Sequence, residues 1–219
     1  MRLIDIAVSD VLEARLDELK PSHIRGLRNM PEKDADAFHK FLAQHGFSAL
    51  GNGLYSSVWG ERDSNTVVKV THGMGDKCWL SFAETIGRHP NKHFPKISKV
   101  QIYTDHTTQK PNFYCFMERL VDIWKMPITD DDIELACFLL GHFGIDLIAP
   151  PRIVELLGRN ISTSVLKEVG QGYRDADSLL EAIEFLRSNM PDGCSWDLHD
   201  GNIMWRKSNN TLVITDPFS

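Results

Sequence analysis

Near its carboxyl end the chain concentrates chemically active side chains in one polar loop, residues 197–202, with the sequence Asp-Leu-His-Asp-Gly-Asn. A segment with apolar residues at helical spacing, Leu179–Asn189, precedes the loop, and Pro191 and Gly193 end that segment. Two strand-like runs follow, and the second one ends at Asp216. A turn rich in Asp, Asn and Gly would explain the composition of the loop, but it would not explain a carboxylate at the end of an apolar strand. The pattern therefore predicts a functional polar loop between a helix and a β-hairpin.

The residue types in this region suit phosphoryl transfer. That reaction needs one carboxylate to orient a hydroxyl and accept its proton, and oxygen ligands for magnesium ions that bridge the phosphates. Asp197 fits the first role, and Asn202 and Asp216 fit the second.

A second motif lies in the first third of the chain and reads Gly51-x-Gly53-x-x-Ser56-x-Val58. Two glycines on a strand turn let a backbone approach phosphates closely. A plain hairpin would also explain the glycines, and Lys69 on the apolar strand that follows could point to solvent. Together, the loop and Lys69 favour a lysine that contacts the α and β phosphates of a nucleotide.

The secondary-structure pattern divides the chain into three parts. Residues 1–46 are predicted as an N-terminal helical extension, 47–120 as a strand-rich nucleotide-binding lobe with a helix at 76–88, and 121–219 as a helical catalytic lobe ending in a hairpin. Ser178 and Glu181 form a capping-box pattern for the last helix. Such blocks predict an α+β fold with a small antiparallel sheet.

Composition limits the kinds of binding partner and the cellular compartment that the sequence predicts. The 219 residues carry a net charge of −6 and show no clear Lys/Arg cluster, which disfavours direct nucleic-acid binding. No apolar run is long enough for a membrane span, and the N-terminus lacks the apolar stretch of a signal peptide. Four scattered cysteines without a C-x-x-C pair predict reduced thiols. These features predict a cytoplasmic protein.

A glycine-rich loop, a strand lysine, an Asp-x-x-x-x-Asn loop and a later Asp follow one another in protein kinases in this order. The chain resembles the early serine/threonine protein kinases of short-tailed phages of the T-seven type. The resemblance is closest over 47–70 and 197–219 and extends loosely to the N-terminal segment. It implies a bilobed protein-kinase-like fold, ATP bound by Lys69, catalysis by Asp197, and magnesium held by Asn202 and Asp216. It also implies phosphorylation of host bacterial proteins, including the transcription and RNA-processing machinery, in the cytoplasm of the infected cell.

The kinase pattern assigns further residues. Glu84, on the helix after Lys69, is the candidate acidic partner of that lysine, although an exposed helix carboxylate is an equal alternative. The strand from Tyr114 leads into the connection between lobes, where backbone groups contact adenine and Met117 guards the back of the pocket. His199 stands where protein kinases commonly have lysine, and we include it among the catalytic residues. The full nucleotide-binding prediction is Gly51, Gly53, Ser56, Val58, Lys69, Glu84, Met117, Glu118 and Leu120.

The chain departs from the protein-kinase pattern in ways that keep alternatives open. Ser195 and Trp196 replace the usual His-Arg before the catalytic Asp, and the sequence stops three residues after Asp216. An Asp-Leu-His-x-Gly-Asn loop is also typical of aminoglycoside and choline kinases, so a small-molecule kinase is one alternative. Another alternative is a kinase-like nucleotide-binding protein that inhibits a host protein without catalysis.

Two expectations concern substrate contacts. We expect residues 1–45 and the helical stretch 121–173 to support the catalytic loop, because their apolar faces must be buried against something. We also expect Ser219 to lie beside the metal site, close enough to Asp197 to be autophosphorylated.

Overall fold

The computed structural model describes residues 35–71, 76–98, 100–122 and 175–219. The chain divides into two compact units, one formed by Met1–Ala83 and Lys96–Arg119, and the other by Glu84–Pro95 and Leu120–Ser219. The predicted helices before residue 35 and the predicted helical stretch 121–173, except its first two residues, lie outside the described residues. The three domain boundaries stay predictions.

The described residues form three α-helices, eight β-strands and a single 3₁₀ turn. In chain order these are α1 (Ala35–Gln44), β1 (Ser48–Asn52), β2 (Ser56–Gly60), β3 (Thr66–Thr71), α2 (Lys77–Arg88), β4 (Gln101–Thr104), β5 (Pro111–Glu118), β6 (Val121–Asp122), α3 (Ala176–Ser188), the 3₁₀ turn (Asp200–Asn202), β7 (Ile203–Arg206) and β8 (Thr211–Ile214). Antiparallel sheets with separate helices agree with the predicted α+β class. Its bilobed kinase form stays a proposal.

The first unit is built on a five-stranded antiparallel sheet with the order β1-β2-β3-β5-β4. Its central strand β3 is buried along its whole length, which explains why its sequence is apolar rather than alternating. All five strands lie within the segment 47–120 that is predicted to be rich in strands, because β-branched and aromatic runs separated by turn residues mark it clearly.

Helix α1 covers one face of this sheet. Phe38 and Leu42 are fully buried in a cluster with Val68 and Val70 of β3, Tyr103 of β4 and Tyr114 of β5. Phe41 packs against the same cluster, so the predicted apolar stripe of the helix is the stripe that is buried. Gly46 follows the helix with φ of 86°, a left-handed conformation that glycine adopts readily.

Helix α2 supplies side chains to the opposite face of the sheet. Trp79 is fully buried and stacks on Phe113 of β5, with the two ring centroids 5.2 Å apart. The Asp76 carboxylate accepts a hydrogen bond from the Trp79 N–H at 2.9 Å, which caps the start of the helix. The sheet of the first unit is therefore covered on both faces.

The second unit contains α3 and a three-stranded antiparallel sheet, β6-β7-β8. His93 is fully buried there: its Nδ1 lies 2.8 Å from the Leu212 carbonyl oxygen of β8, and its Nε2 lies 2.8 Å from the Ser178 hydroxyl of α3. The Arg206 guanidinium donates to the carbonyl oxygens of Lys92 and Phe94 on either side of His93. These contacts join the segment around His93 to both the helix and the hairpin.

Two predictions are wrong in detail. Helix α3 begins at Ala176 rather than after Ser178, and its N-cap residue Asp175 makes no side-chain cap. The Ser178 hydroxyl contacts His93 instead, so a tertiary partner replaces the predicted capping box. Cys78 and Cys194 are each disulfide-bonded, contrary to the expectation of reduced thiols, whereas Cys115 is a free, buried thiol. Among the described residues, no helix is long and apolar enough to cross a membrane.

Candidate active site

The glycine motif lies on the β1–β2 hairpin of the first unit. Gly51 faces Val58 across the hairpin, and the Gly53 N–H donates to the Ser56 carbonyl oxygen at 2.7 Å, which closes the turn. The tip is open to solvent: Leu54 is 80% exposed, and Leu50 and Tyr55 are also exposed. The structure therefore places Gly51, Gly53, Ser56 and Val58 on one hairpin with an uncovered tip.

The fold of the hairpin does not require its two glycines. Neither has a positive φ. A Cβ added to Gly51 would meet nothing within 4 Å, and one added to Gly53 would meet only ordinary contacts with Ser56, the nearer at 3.6 Å. Glycine here leaves open space beside the backbone, which is the space that a phosphate approaching the amides would use.

Lys69 lies on β3 directly opposite Val58 of β2, so the two side chains share one face of the sheet. It is only 5% exposed, and its Nζ lies 4.2 Å from the centroid of the Trp79 ring, a cation–π distance. Cys115 is paired with Lys69 in the β3–β5 ladder; burial raises the pKa of its thiol to about 12, although the Lys69 cation acts to lower it. The predicted lysine is therefore held inside the unit and does not point to solvent.

The residues predicted to line the adenine pocket lie at the end of β5 and just after it. Met117 is buried and pairs with Val67 of β3 and with Ile97. The Glu118 N–H donates to the Lys96 carbonyl oxygen at 3.0 Å, and the Glu118 carboxylate accepts from the Lys96 N–H at 2.8 Å. Both groups of Glu118 thus hold segment 96–98 against β5. Leu120 is half-buried, and Glu84 on α2 is exposed.

The polar loop of the second unit is paired with the chain after β8. Ser195 and Ser219 exchange both backbone hydrogen bonds, at 2.8 and 3.0 Å. The Asp197 N–H donates to the Pro217 carbonyl oxygen at 2.8 Å, and the Thr215 N–H donates to the Asn202 carbonyl oxygen at 2.9 Å. These bonds bring Asp197, Asn202 and the chain around Asp216 together, although they are well separated in sequence.

Asn202 and His199 fasten the loop internally. The Asn202 Nδ2 donates to the Asp197 carbonyl oxygen at 2.8 Å and lies 3.0 Å from His199 Nε2. The Gly201 N–H donates to His199 Nδ1 at 3.1 Å. A neutral imidazole accepts at one nitrogen only, so at any moment one of these two contacts on His199 is a hydrogen bond. His199 contacts the loop itself, which suits a role in positioning Asn202.

Two of the side-chain oxygen groups that the chemistry needs, on Asp197 and Asn202, are available. The Asp197 carboxylate is half-buried and has no hydrogen bond or ion pair with the residues that the structure describes. The Asn202 contacts use its amide nitrogen and leave the oxygen, the atom that magnesium would bind. Asp216 is half-buried beside Thr215, whose hydroxyl donates to the Asn202 carbonyl oxygen at 3.1 Å. In the described part of the chain no cluster of three His, Cys, Asp or Glu side chains is arranged for a metal. The residues present fit a magnesium site of the Asn–Asp type.

Ser219 is exposed, and its hydroxyl oxygen lies 3.1 Å from that of Ser195, two residues before Asp197. Its phosphorylation stays a prediction.

Sequence reasoning missed several residues that build these two regions. No sequence pattern singles out Trp79, and Ser195 stands out only as a departure from the kinase motif. Pro217 and Thr215 act through their backbone groups, which leave no trace in a residue pattern. Trp79 lies in the predicted helix 76–88, but nothing in the sequence predicts that its ring lies against Lys69.

No protein-family model matches the sequence, and no curated protein matches it. Among solved structures, the chain is similar to the kinase PK-1 of the Cydia pomonella granulovirus. The match has 13% sequence identity and a TM-score of 0.40, and it covers 80% of this chain. The chain spans about half, 55%, of the length of that kinase. A likeness at this level supports no conclusion about activity, so the function is inferred from the site itself.

Proposed function

We propose that the chain is an ATP- and magnesium-dependent serine/threonine protein kinase of the type encoded early by T-seven-type short-tailed phages. Its substrates would be host bacterial proteins whose phosphorylation alters host transcription or RNA processing, in the cytoplasm of the infected cell. The sequence resemblance suggests the phage class and the substrates, and the acidic net charge disfavours nucleic acid as the ligand.

One observation supports the phosphotransferase proposal most strongly. The Asp197 carboxylate has no protein partner among the described residues, although the backbone on both sides of it is hydrogen-bonded. A half-buried carboxylate that is fixed in place but unpaired can orient a substrate hydroxyl and accept its proton. A loop with a purely structural role would gain stability from pairing such a group.

The remaining roles follow from the same chemistry. Asn202 and Asp216 would hold magnesium through oxygen atoms, and a magnesium ion would neutralise charge on the nucleotide phosphates. Lys69 would contact the α and β phosphates, and the open space at Gly51 and Gly53 would admit phosphates to the backbone of the hairpin.

A second candidate is a small-molecule kinase of the aminoglycoside type. The observation that favours it is the arrangement of His199, whose ring contacts Gly201 and Asn202 within the Asp-Leu-His-x-Gly-Asn loop. A protein kinase commonly has a lysine at this position. Both candidates use Asp197, Asn202 and Asp216 in the same roles, and they differ in the acceptor.

Incubation with radiolabelled ATP, magnesium and a bacterial host lysate tests the proposal. We expect label in protein bands, on serine and threonine, that disappears when magnesium is chelated. A D197N variant at equal concentration is the control for contaminating kinases. Label that enters only small molecules would replace the proposal with the second candidate, and absence of any transfer would overturn both. Mass spectrometry of the same reaction tests whether Ser219 is modified.

A further inference from the structure

Helix α1 contacts the strand that follows the glycine loop through a partly buried polar network. The Trp59 indole N–H donates to the Ser57 hydroxyl oxygen at 2.9 Å. The same hydroxyl oxygen is hydrogen-bonded to His39 Nε2 of α1, also at 2.9 Å. The His39 ring stacks on the Trp59 ring, with 5.2 Å between the centroids. Three side chains from α1 and β2 therefore form one connected unit.

The alternation of side chains along β2 explains how this network can affect the opposite face of the sheet, where Val58 and Lys69 lie. Ser57 pairs with Val70 and Trp59 with Val68, so both face α1, where Val68 and Val70 are buried. Val58 lies between them and faces the other side, opposite Lys69. A hydrogen bond that fixes the position of Ser57 on one face of the sheet therefore also fixes the position of Val58 on the other face.

The network connects β2 to a helix that is already anchored elsewhere. The buried side chains of α1, Phe38 and Leu42, pack against β3, β4 and β5. Ser57 is only 2% exposed, and β2 is the strand into which the open glycine turn runs. The His39–Ser57 bond thus links the hairpin to the helix that packs on β3, β4 and β5.

We propose that His39 and Ser57 position the glycine-rich hairpin, so that α1 acts as a support for phosphate binding. Neither residue touches the nucleotide, and both act through β2. The kinetic part of this inference rests on the proposed ATP-dependent function, whereas its structural part does not.

Four variants of the full chain test the proposal. S57A removes the hydroxyl, and H39F keeps a ring on Trp59 without the hydrogen bond. H39Q keeps a group that can donate or accept a hydrogen bond at this position, so its exchange and its KM for ATP should match those of the wild-type protein. L42V is the matched control, because it trims a fully buried side chain of the same helix without touching Ser57. Each variant is measured by hydrogen exchange of the amides of residues 48–60 without nucleotide, and by KM for ATP and kcat.

We expect exchange in residues 48–60 to rise about two- to twelvefold in S57A and H39F, the factor that the net worth of one hydrogen bond gives. KM for ATP should rise by a similar factor with kcat nearly unchanged, and L42V, which keeps the hydrogen bond, should raise exchange and KM by clearly less. Unchanged exchange, or an equal rise in L42V, would overturn the proposal. Raised exchange with an unchanged KM would overturn the role in nucleotide binding. If wild-type protein neither binds nor uses ATP while exchange rises as expected, the support by α1 stands and the proposed function fails.

Discussion

The glycine hairpin and the polar loop of residues 195–202 differ in how their special residues relate to the fold. In the hairpin, a Cβ at Gly51 would meet nothing within 4 Å, so the glycine has no structural task that the chain itself reveals. In the polar loop, a Cβ at Gly201 would lie 2.9 Å from His199 Cε1, and Asn202 holds the Asp197 backbone. A functional role can be inferred for the glycines of the hairpin because the fold does not require glycine there. Residues in the polar loop serve fold and chemistry together, and the Asp197 carboxylate and the Asn202 side-chain oxygen make no structural bond to described residues.

The variant with the largest expected effect, D216A, tests the region of the polar loop. On the proposed function, D216A would remove an oxygen ligand of the magnesium at the phosphates, so we expect phosphotransfer to be abolished. Circular dichroism and thermal unfolding show whether the fold is kept. A well-folded variant with full activity would remove Asp216 from the site.

D197N separates chemistry from structure inside the same loop. Because the carboxylate makes no bond to the described protein while the backbone does, the variant should keep its stability and its affinity for ATP. Turnover should fall by about 10²-fold or more, the scale for loss of an acid–base group. Calorimetric ATP titration and single-turnover assays measure the two quantities. Parallel losses of affinity and rate would show that Asp197 is structural, and that the second region has no purely functional group.

The same substitution in both regions tests the comparison directly. G53A should leave the melting temperature unchanged or slightly raised, because alanine at an unstrained position restricts the unfolded chain, but it should raise KM for ATP. G201A should displace the His199 ring and lower the free energy of unfolding by about 1 kcal/mol, the net worth of one hydrogen bond. The melting temperature and the KM for ATP of both variants, G53A and G201A, test this comparison. If both variants lost stability equally, the two regions would not differ as described.

The smallest effect is a pH dependence confined to the second unit. Burial lowers the pKa of His93, with Lys92 and Arg206 acting in the same direction and the Leu212 carbonyl and Asp175 opposing them. The unfolded chain therefore binds the proton first, so the stabilisation is complete above about pH 6.5 and declines as pH falls from there toward the folded-state pKa. The limiting slope for one proton is about 1.4 kcal/mol per pH unit.

Hydrogen exchange between pH 5 and 7 should show β7 and β8 loosening before β1 and β2, after correction for the intrinsic exchange rates. H93Q should flatten this difference. Equal loosening of both sheets would assign the pH dependence to other groups.

The sequence predicted local structure well, because local rules determine it. The apolar run of β3 and the apolar stripe of α1 each predicted their element and its buried side. The capping box at Ser178 failed because the hydroxyl found a partner, His93, that is 85 residues away in the chain. The ring of Trp79 beneath Lys69 and the backbone pairing of Asp197 with Pro217 were unpredictable for the same reason, since such contacts depend on which elements meet. The site residues could be named from their chemistry, but their supporting neighbours could not.

The pairing of residues 195–197 with 217–219 has a consequence for metal affinity. When an ion binds between two flexible loops, both loops must become ordered, and the entropy they lose weakens the binding. Here the segments 195–197 and 217–219 are already hydrogen-bonded to each other, and Thr215 is bonded to Asn202. Most of the ordering has thus taken place during folding. The backbone positions of the candidate ligands are therefore set in advance, so a metal bound there, as proposed, would be selected by its size.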